Sequence, residues 1–190
     1  MPSATSHSSN TPYVALLRGI NVGGNNKISM PKLKTAFERQ GFSHVLTYIN
    51  SGNVVFNTGM EDEREIKAVC EKLIAAEFGL SIPVAIVSAA EWVDAVNHAP
   101  VWWNKNPASK HNAIFVIPPA TTAELCAQVE NSKPEYEQIA SHGKVVFWSA
   151  PLATFSRTRL SKLVHSKAMY HCMTVRNAKT TLKLAELVGG

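Results

Sequence analysis

No apolar run in the 190-residue sequence approaches the roughly 18 residues needed to cross a bilayer. That excludes a helical membrane anchor. The opening stretch, Met1 to Asn10, has neither a basic n-region nor an apolar h-region, so no signal peptide is read there, and residues 1–11 are expected to form a disordered tail. Cysteine is scarce. Cys70, Cys126 and Cys172 are odd in number and widely spaced with no CxxC pair, which argues against a disulfide framework or a thiolate zinc site and points to a reducing, cytoplasmic setting. There is no Gly-x-Ser-x-Gly elbow for an activated serine and no carboxylate pair placed for general acid and base work. The His165-x5-His171-Cys172 spacing fits no common ligand geometry, so no metal and no cofactor is expected.

What is present is a globular composition, 45% apolar and 17% charged, with a formal charge of +5. The charge is unevenly placed. Residues 151–190 hold Arg157, Arg159, Lys162, Lys167, Arg176, Lys179 and Lys183 against Glu186 alone, and the first 150 residues are close to neutral. A local excess of this kind favours an anionic partner through its summed field.

The apolar pattern resolves into two similar halves. Tyr13 to Leu17 is a continuous apolar strand, and Met30, Leu33 and Phe37 recur at helical spacing behind Ser29 and Pro31. Val45 to Ile49 and Val54 to Phe56 form strands joined through Asn50-Ser51-Gly52-Asn53. Ile66, Cys70 and Leu73 mark a helix, Ile82 to Val87 a strand, and Ser88-Ala89-Ala90-Glu91 is a capping box opening a trailing helix. The order repeats. Ala113 to Ile117, a second capping box at Thr121 to Glu124, strands at Tyr136 to Ala140 and Val145 to Trp148, a helix near Leu160 to Val164, a strand at Met173 to Val175 and a last helix follow. This predicts an α+β fold of two ferredoxin-like βαββαβ halves, 12–104 and 105–190, each an antiparallel sheet with helices packed on one face. Trp102 and Trp103, in the segment joining them, are expected to pack between the halves.

Residues Ala15 to Gly24 (Ala-Leu-Leu-Arg-Gly-Ile-Asn-Val-Gly-Gly) and Tyr48 to Val54 (Tyr-Ile-Asn-Ser-Gly-Asn-Val) resemble the domain of unknown function (DUF) 1697 family. Trp102-Trp103, Ser161-Lys162-Leu163, Thr174 to Asn177 and Thr181 to Leu184 extend the resemblance to about residue 188. It implies paired ferredoxin-like modules and assigns no reaction. Ala178 departs from the family's frequent aromatic at that position.

The loop from Gly19 to Lys27 follows a strand and precedes a helix, where backbone N–H groups can cradle an anion. It is not a P-loop, because Gly24 is separated from Lys27 by two asparagines and Ile28 separates Lys27 from Ser29. Three glycines, two asparagines and flanking cations instead suggest anion binding by Arg18, Asn21, Gly23, Gly24 and Lys27. Ser51 and Asn53, read chiefly as turn residues, join that set as polar contacts. Arg157, Ser161, Lys162, Arg176 and Asn177 offer further cations, hydroxyls and an amide of the kind that grip phosphate or carboxylate. If the halves face each other, these cations would share one cleft and require an anion to relieve their repulsion. The preferred partner is a nucleotide, phosphorylated metabolite or other small anion. Nucleic acid is less favoured, since Tyr13, Phe56, Phe115, Phe147 and Trp148 stand on the strands without an RNP pattern. The alternatives are an enzyme acting on a small anionic substrate held between the halves, and an interaction module with no small ligand.

Overall fold

The computed structural model describes residues 10–189. The expected tail therefore lies largely outside the described residues, while Thr11 already pairs with Thr58 in the first strand. The elements run β1 (Thr11–Leu17), α1 (Met30–Arg39), β2 (Ser43–Tyr48), β3 (Asn53–Thr58), α2 (Glu63–Phe78), β4 (Val84–Ser88), α3 (Ala89–Asn97), β5 (Ser109–Val116), α4 (Thr122–Gln128), β6 (Gln138–His142), β7 (Val145–Pro151), α5 (Arg159–Val164), β8 (Met173–Asn177) and α6 (Ala178–Gly189). Two antiparallel four-stranded sheets result, ordered β2-β3-β1-β4 and β6-β7-β5-β8. Both are the ferredoxin-like order, and their most apolar strands are central. Residues 98–108 connect α3 to β5.

The continuous apolar runs have a specific cause. Along β1, Tyr13, Ala15 and Leu17 enter a core with Leu33 and Phe37 of α1 and Ile66 and Ile74 of α2, while Val14 and Leu16 enter a second core. Along β5, Ala113 and Phe115 enter that same second core, and Ile114 and Val116 a third, with Leu125 and Leu160. Each central strand is buried on both faces, so period-two alternation is erased. Five layers follow. Helices α1 and α2 cover the outer face of the first sheet, and α4 and α5 that of the second, as expected. The two inner faces are closed by α3 and α6, whose Trp92 and Leu184 lie in the second core between the sheets.

Trp92 fixes this middle layer. It stacks on Phe115 of the other half at 4.4 Å, and its indole N–H donates to the Thr181 carbonyl of α6 at 3.1 Å. Burial of so large an aromatic with its polar atom satisfied is worth about 3–5 kcal/mol on truncation. Trp103 is buried against Phe147 at 5.0 Å and donates to the Asn112 carbonyl, the inter-half packing its sequence position suggests. Tyr13, Phe56, Phe115, Phe147 and Trp148 are all buried, so the stacking platform of a sheet-based RNA reader is covered by the protein itself.

Two local expectations change. Strand β6 runs from Gln138 to His142 rather than from Tyr136, because Glu137 leaves the strand to accept the Arg159 and Leu160 amide N–H groups at 2.9 and 3.2 Å, capping α5. Both predicted capping boxes form. Ser29 stands at the N-cap of α1 but makes no side-chain cap bond.

Candidate functional site

The glycine-rich loop folds on itself. Val22 to Asn25 close a tight turn, with Gly23 and Gly24 at φ +58° and +81°, the left-handed pair such a turn requires. The Asn21 side chain accepts from the Ile28 N–H and donates to the Ile28 and Asn50 carbonyls, all at 2.9 Å, which makes it a brace of the loop. Val22, Gly23, Gly24 and Lys27 are exposed, and a Cβ at either tip glycine would meet nothing within 4 Å. The glycine N–H groups thus stand on a projecting tip and do not form the floor of a cleft.

Beneath this loop the two halves are joined by arginines crossing in opposite directions. Arg176, on β8, is buried, and its guanidinium reaches into the first half. Its Nη2 donates to the carbonyls of Leu17 and Ser51 at 2.9 Å and Gly52 at 3.1 Å. Nε donates to Asn53 Oδ1, and Nη1 to Thr174 Oγ1 and the Val175 carbonyl. Every donor of the fork is matched. Arg18, at the end of β1, reaches the other way, donating to the carbonyls of Met173 and Val164 and lying 5.0 Å over the Tyr170 ring. Burial, together with Arg18, pushes the Arg176 guanidinium down to about 9, and burial also lowers Arg18. Both remain cationic at neutral pH.

The structure therefore brings Arg18, Ser51, Asn53 and Arg176 together, with Asn21 tied to the same turn through Asn50. It relieves their charge with carbonyl dipoles, where an anion had been expected. The turn is built for this approach. Gly52, at φ +77°, has no room for a Cβ, which would sit 2.7 Å from Leu17 Cβ and 2.8 Å from Ile20 Cδ1. Asn53 is fully buried and donates to the Tyr48 carbonyl and Ser51 Oγ. Asn177 caps α6 by accepting from the Thr180 N–H at 2.7 Å.

Arg157 lies elsewhere. With Lys133, Tyr136 and Arg159 it surrounds a cavity of about 360 Å³, whose lining also includes Ser132, Glu137, Thr154 and Thr158. The Lys133, Arg157 and Arg159 side chains have no hydrogen-bond or ion-pair partner among the described residues. Glu137 is already committed to the α5 amides and to Ser132 Oγ, and the Thr154 hydroxyl is buried without a partner. Ser161 is buried in α5, and Lys162 is exposed on it outside this lining. A larger cavity of about 760 Å³ beside β6 and α4 is lined by Glu130 and Glu137 and by no cation.

A family model described as protein of unknown function (DUF1697) matches residues 11–147. The chain belongs to the DUF1697 family. No curated protein matches it. In fold it is similar to the conserved bacterial protein SP0830 from Streptococcus pneumoniae, with a TM-score of 0.81 and 27% identity over 94% of this chain and 98% of that one. That likeness extends past residue 147, so this DUF1697 chain shares with it the second half as well as the first.

Two further groups of charged residues in the DUF1697 chain link the halves and escaped sequence reasoning. Lys144, after the β6–β7 turn, pairs with Glu63 of α2 and, at 2.8 Å, with Glu91 of α3. Burial raises the Glu63 carboxyl. For Glu91 the hydrogen bonds from Lys144, Glu63 and Ser88 outweigh burial and lower it. Asp94 of α3 and His98, which caps that helix, meet His142 at the end of β6. Only the i,i+4 spacing of Asp94 and His98 was visible in advance. Lys133 and Arg159 could not be assigned to a site because the path of residues 131–137 depends on Glu137 capping a helix 22 residues away.

Proposed function

We propose that this DUF1697 protein binds a small anionic molecule, of the phosphorylated or carboxylated metabolite class, in the cavity bounded by Lys133, Arg157 and Arg159. The observation that carries this reading is the convergence of three unpartnered cations on one cavity in which Glu137, the only acid among the described lining residues, is already consumed. Two guanidinium forks match the planar oxygen pairs of phosphate or carboxylate. Tyr136 offers a ring face, and the Thr154 hydroxyl a donor that lacks an acceptor. The volume falls within the range of small-molecule sites, about 300–1,000 Å³. Near the glycine-rich loop, by contrast, Arg18 and Arg176 are spent on carbonyls, which leaves Lys27 as its exposed cation. Among the described residues no histidine, cysteine or free carboxylate lines the cavity, and this favours binding over catalysis.

The test is thermal unfolding with phosphate, pyrophosphate, AMP and a sugar phosphate, repeated on Arg157→Glu/Arg159→Glu. A ligand at a hundredfold its Kd should stabilise the native protein by about 2.7 kcal/mol. The double variant should lose that shift, whereas Lys179→Glu, on α6, should keep it. No shift with any anion, or an equal shift in the double variant, would overturn the proposal.

A further inference from the structure

We infer that Asp94, His98 and His142 form a binding site for a divalent cation of the zinc class, which staples the two halves of the fold together. His98 follows Asp94 by four residues and caps the C-terminus of α3, where its ring meets the Asp94 carboxylate. His142 comes from the other half, as the last residue of β6. The ligand atoms of all three lie within 4.8 Å of one another. Asp94 Oδ2 is 2.7 Å from His142 Nε2, and Asp94 Oδ1 is 3.1 Å from His98 Nδ1.

Two imidazoles and one carboxylate are a donor set that zinc accepts, at about 2.0–2.2 Å from each atom. Donors bound to one tetrahedral ion then lie roughly 3.4 Å apart. The two carboxylate–imidazole separations are shorter than that, so seating the ion requires the side chains to rotate apart. Imidazole nitrogen selects zinc and its transition-metal neighbours over magnesium and calcium, which prefer all-oxygen shells.

The scaffold is held independently of any ion. Helix α3 is fixed by Trp92 on Phe115, and the β6–β7 turn by Lys144 on Glu91 and by the Thr122 hydroxyl donating to the Gly143 carbonyl. Ligands carried on separately anchored elements are the arrangement that metal sites require. The two imidazole planes lie 7° apart with centroids at 4.3 Å, so at least one ring must turn for both in-plane lone pairs to meet a single ion. His98 Nδ1 also lies 2.9 Å from the Asp94 main-chain carbonyl, so coordination through that nitrogen displaces its proton. With three protein donors at the surface, the remaining position belongs to water.

The experiment uses the full chain stripped with chelator. Zinc is titrated against a chromophoric competitor, and thermal unfolding is recorded with zinc, with magnesium and without metal. One equivalent of zinc should bind and raise the melting temperature, and magnesium should leave it unchanged. His142→Ala and His98→Gln, made in opposite halves at exposed or half-exposed positions, should each weaken zinc binding by roughly tenfold or more and abolish the thermal shift. A Cys126→Ser/Cys172→Ser variant should bind as the parent does. Equal binding by the parent and His142→Ala, or loss of binding in the cysteine variant, would overturn the site. Stoichiometric binding without a thermal shift would overturn its role as a staple.

Discussion

The guanidinium of Arg176, on the last strand, donates a 2.9 Å hydrogen bond to the main-chain carbonyl of Leu17, at the end of the first. The two residues are 159 positions apart and belong to different sheets. That bond, with those to Ser51, Gly52 and Asn53, makes one side chain the cap for four acceptors of the other half. No carboxylate among the described residues balances it. The charge is held by oriented dipoles, which act strongly where water is excluded.

Arg176→Ala should therefore destabilise the protein. It leaves buried carbonyls unmatched, each costing about 1–3 kcal/mol, and a total loss of about 3–5 kcal/mol is expected in urea unfolding. Arg176→Lys should recover only part of this, since an ammonium offers three donors where the fork offers five. A loss below about 1 kcal/mol for the alanine variant would show that the bonds are dispensable.

Gly52 and Gly23 both have positive φ, yet alanine should affect them differently. At the open tip, Gly23→Ala meets only the left-handed backbone penalty, about 1–2 kcal/mol. At Gly52 the new methyl also collides with Leu17 and Ile20, adding about 1–3 kcal/mol. Chemical denaturation of the two variants should rank Gly52→Ala clearly below Gly23→Ala. The reverse ranking would contradict the close approach of the turn to β1.

Where the sequence signal was local, it was readable. The capping boxes at Ser88 and Thr121 and the unbroken apolar runs of β1 and β5 located their elements and put those strands at the sheet centres. The runs could not say what covered the second face of each sheet, because Phe115 meets Trp92 only across the seam between the halves. The candidate sites followed the same division. Arg18 was visible as a cation beside the glycine-rich loop and Arg176 as one of the basic C-terminal segment, but whether a cation meets an anion or a carbonyl is a tertiary fact. The carbonyls of Leu17 and Met173 carry no mark in the sequence. His142 and Asp94, 48 residues apart, likewise become neighbours only through the seam.

Lys144 pairs with Glu63 and Glu91, two carboxylates that also lie within hydrogen-bonding reach of each other. Lys144→Met should cost roughly 1 kcal/mol at neutral pH, a figure kept small because the three side chains are partly open to solvent. Adding Glu63→Gln should recover most of it, since the amide can donate to Glu91 in place of the ammonium. A double-mutant cycle on thermal or urea stability checks this, and strict additivity of the two substitutions would rule out the coupling.

Cys70, fully buried on α2, gives a pH-dependent prediction whose sign follows from linkage. Burial pushes its thiol up from the ordinary value of 9.0, with Glu71 adding to the effect. Above pH 9 the unfolded chain releases that proton while the native protein keeps it. The native state then binds more protons than the unfolded one, so stability must fall as pH rises. From pH 8 to pH 10 the contribution lost is about 1.4 kcal/mol, one decade of ionisation in the unfolded chain. Cys70→Ala will be less stable at pH 8 because a buried sulfur is removed, but it lacks this dependence. The stability gap between the parent and Cys70→Ala, measured by urea unfolding in reductant, should therefore narrow by about 1.4 kcal/mol between the two pH values. Lysines and tyrosines titrate in the same range, but they are common to both proteins and cancel in the difference. The same burial should make Cys126 and Cys172 react with a thiol reagent in the native protein, while Cys70 reacts only on unfolding. A gap that stays constant with pH, or rapid labelling of all three thiols, would place the Cys70 sulfur in contact with water and contradict its position beneath the first sheet.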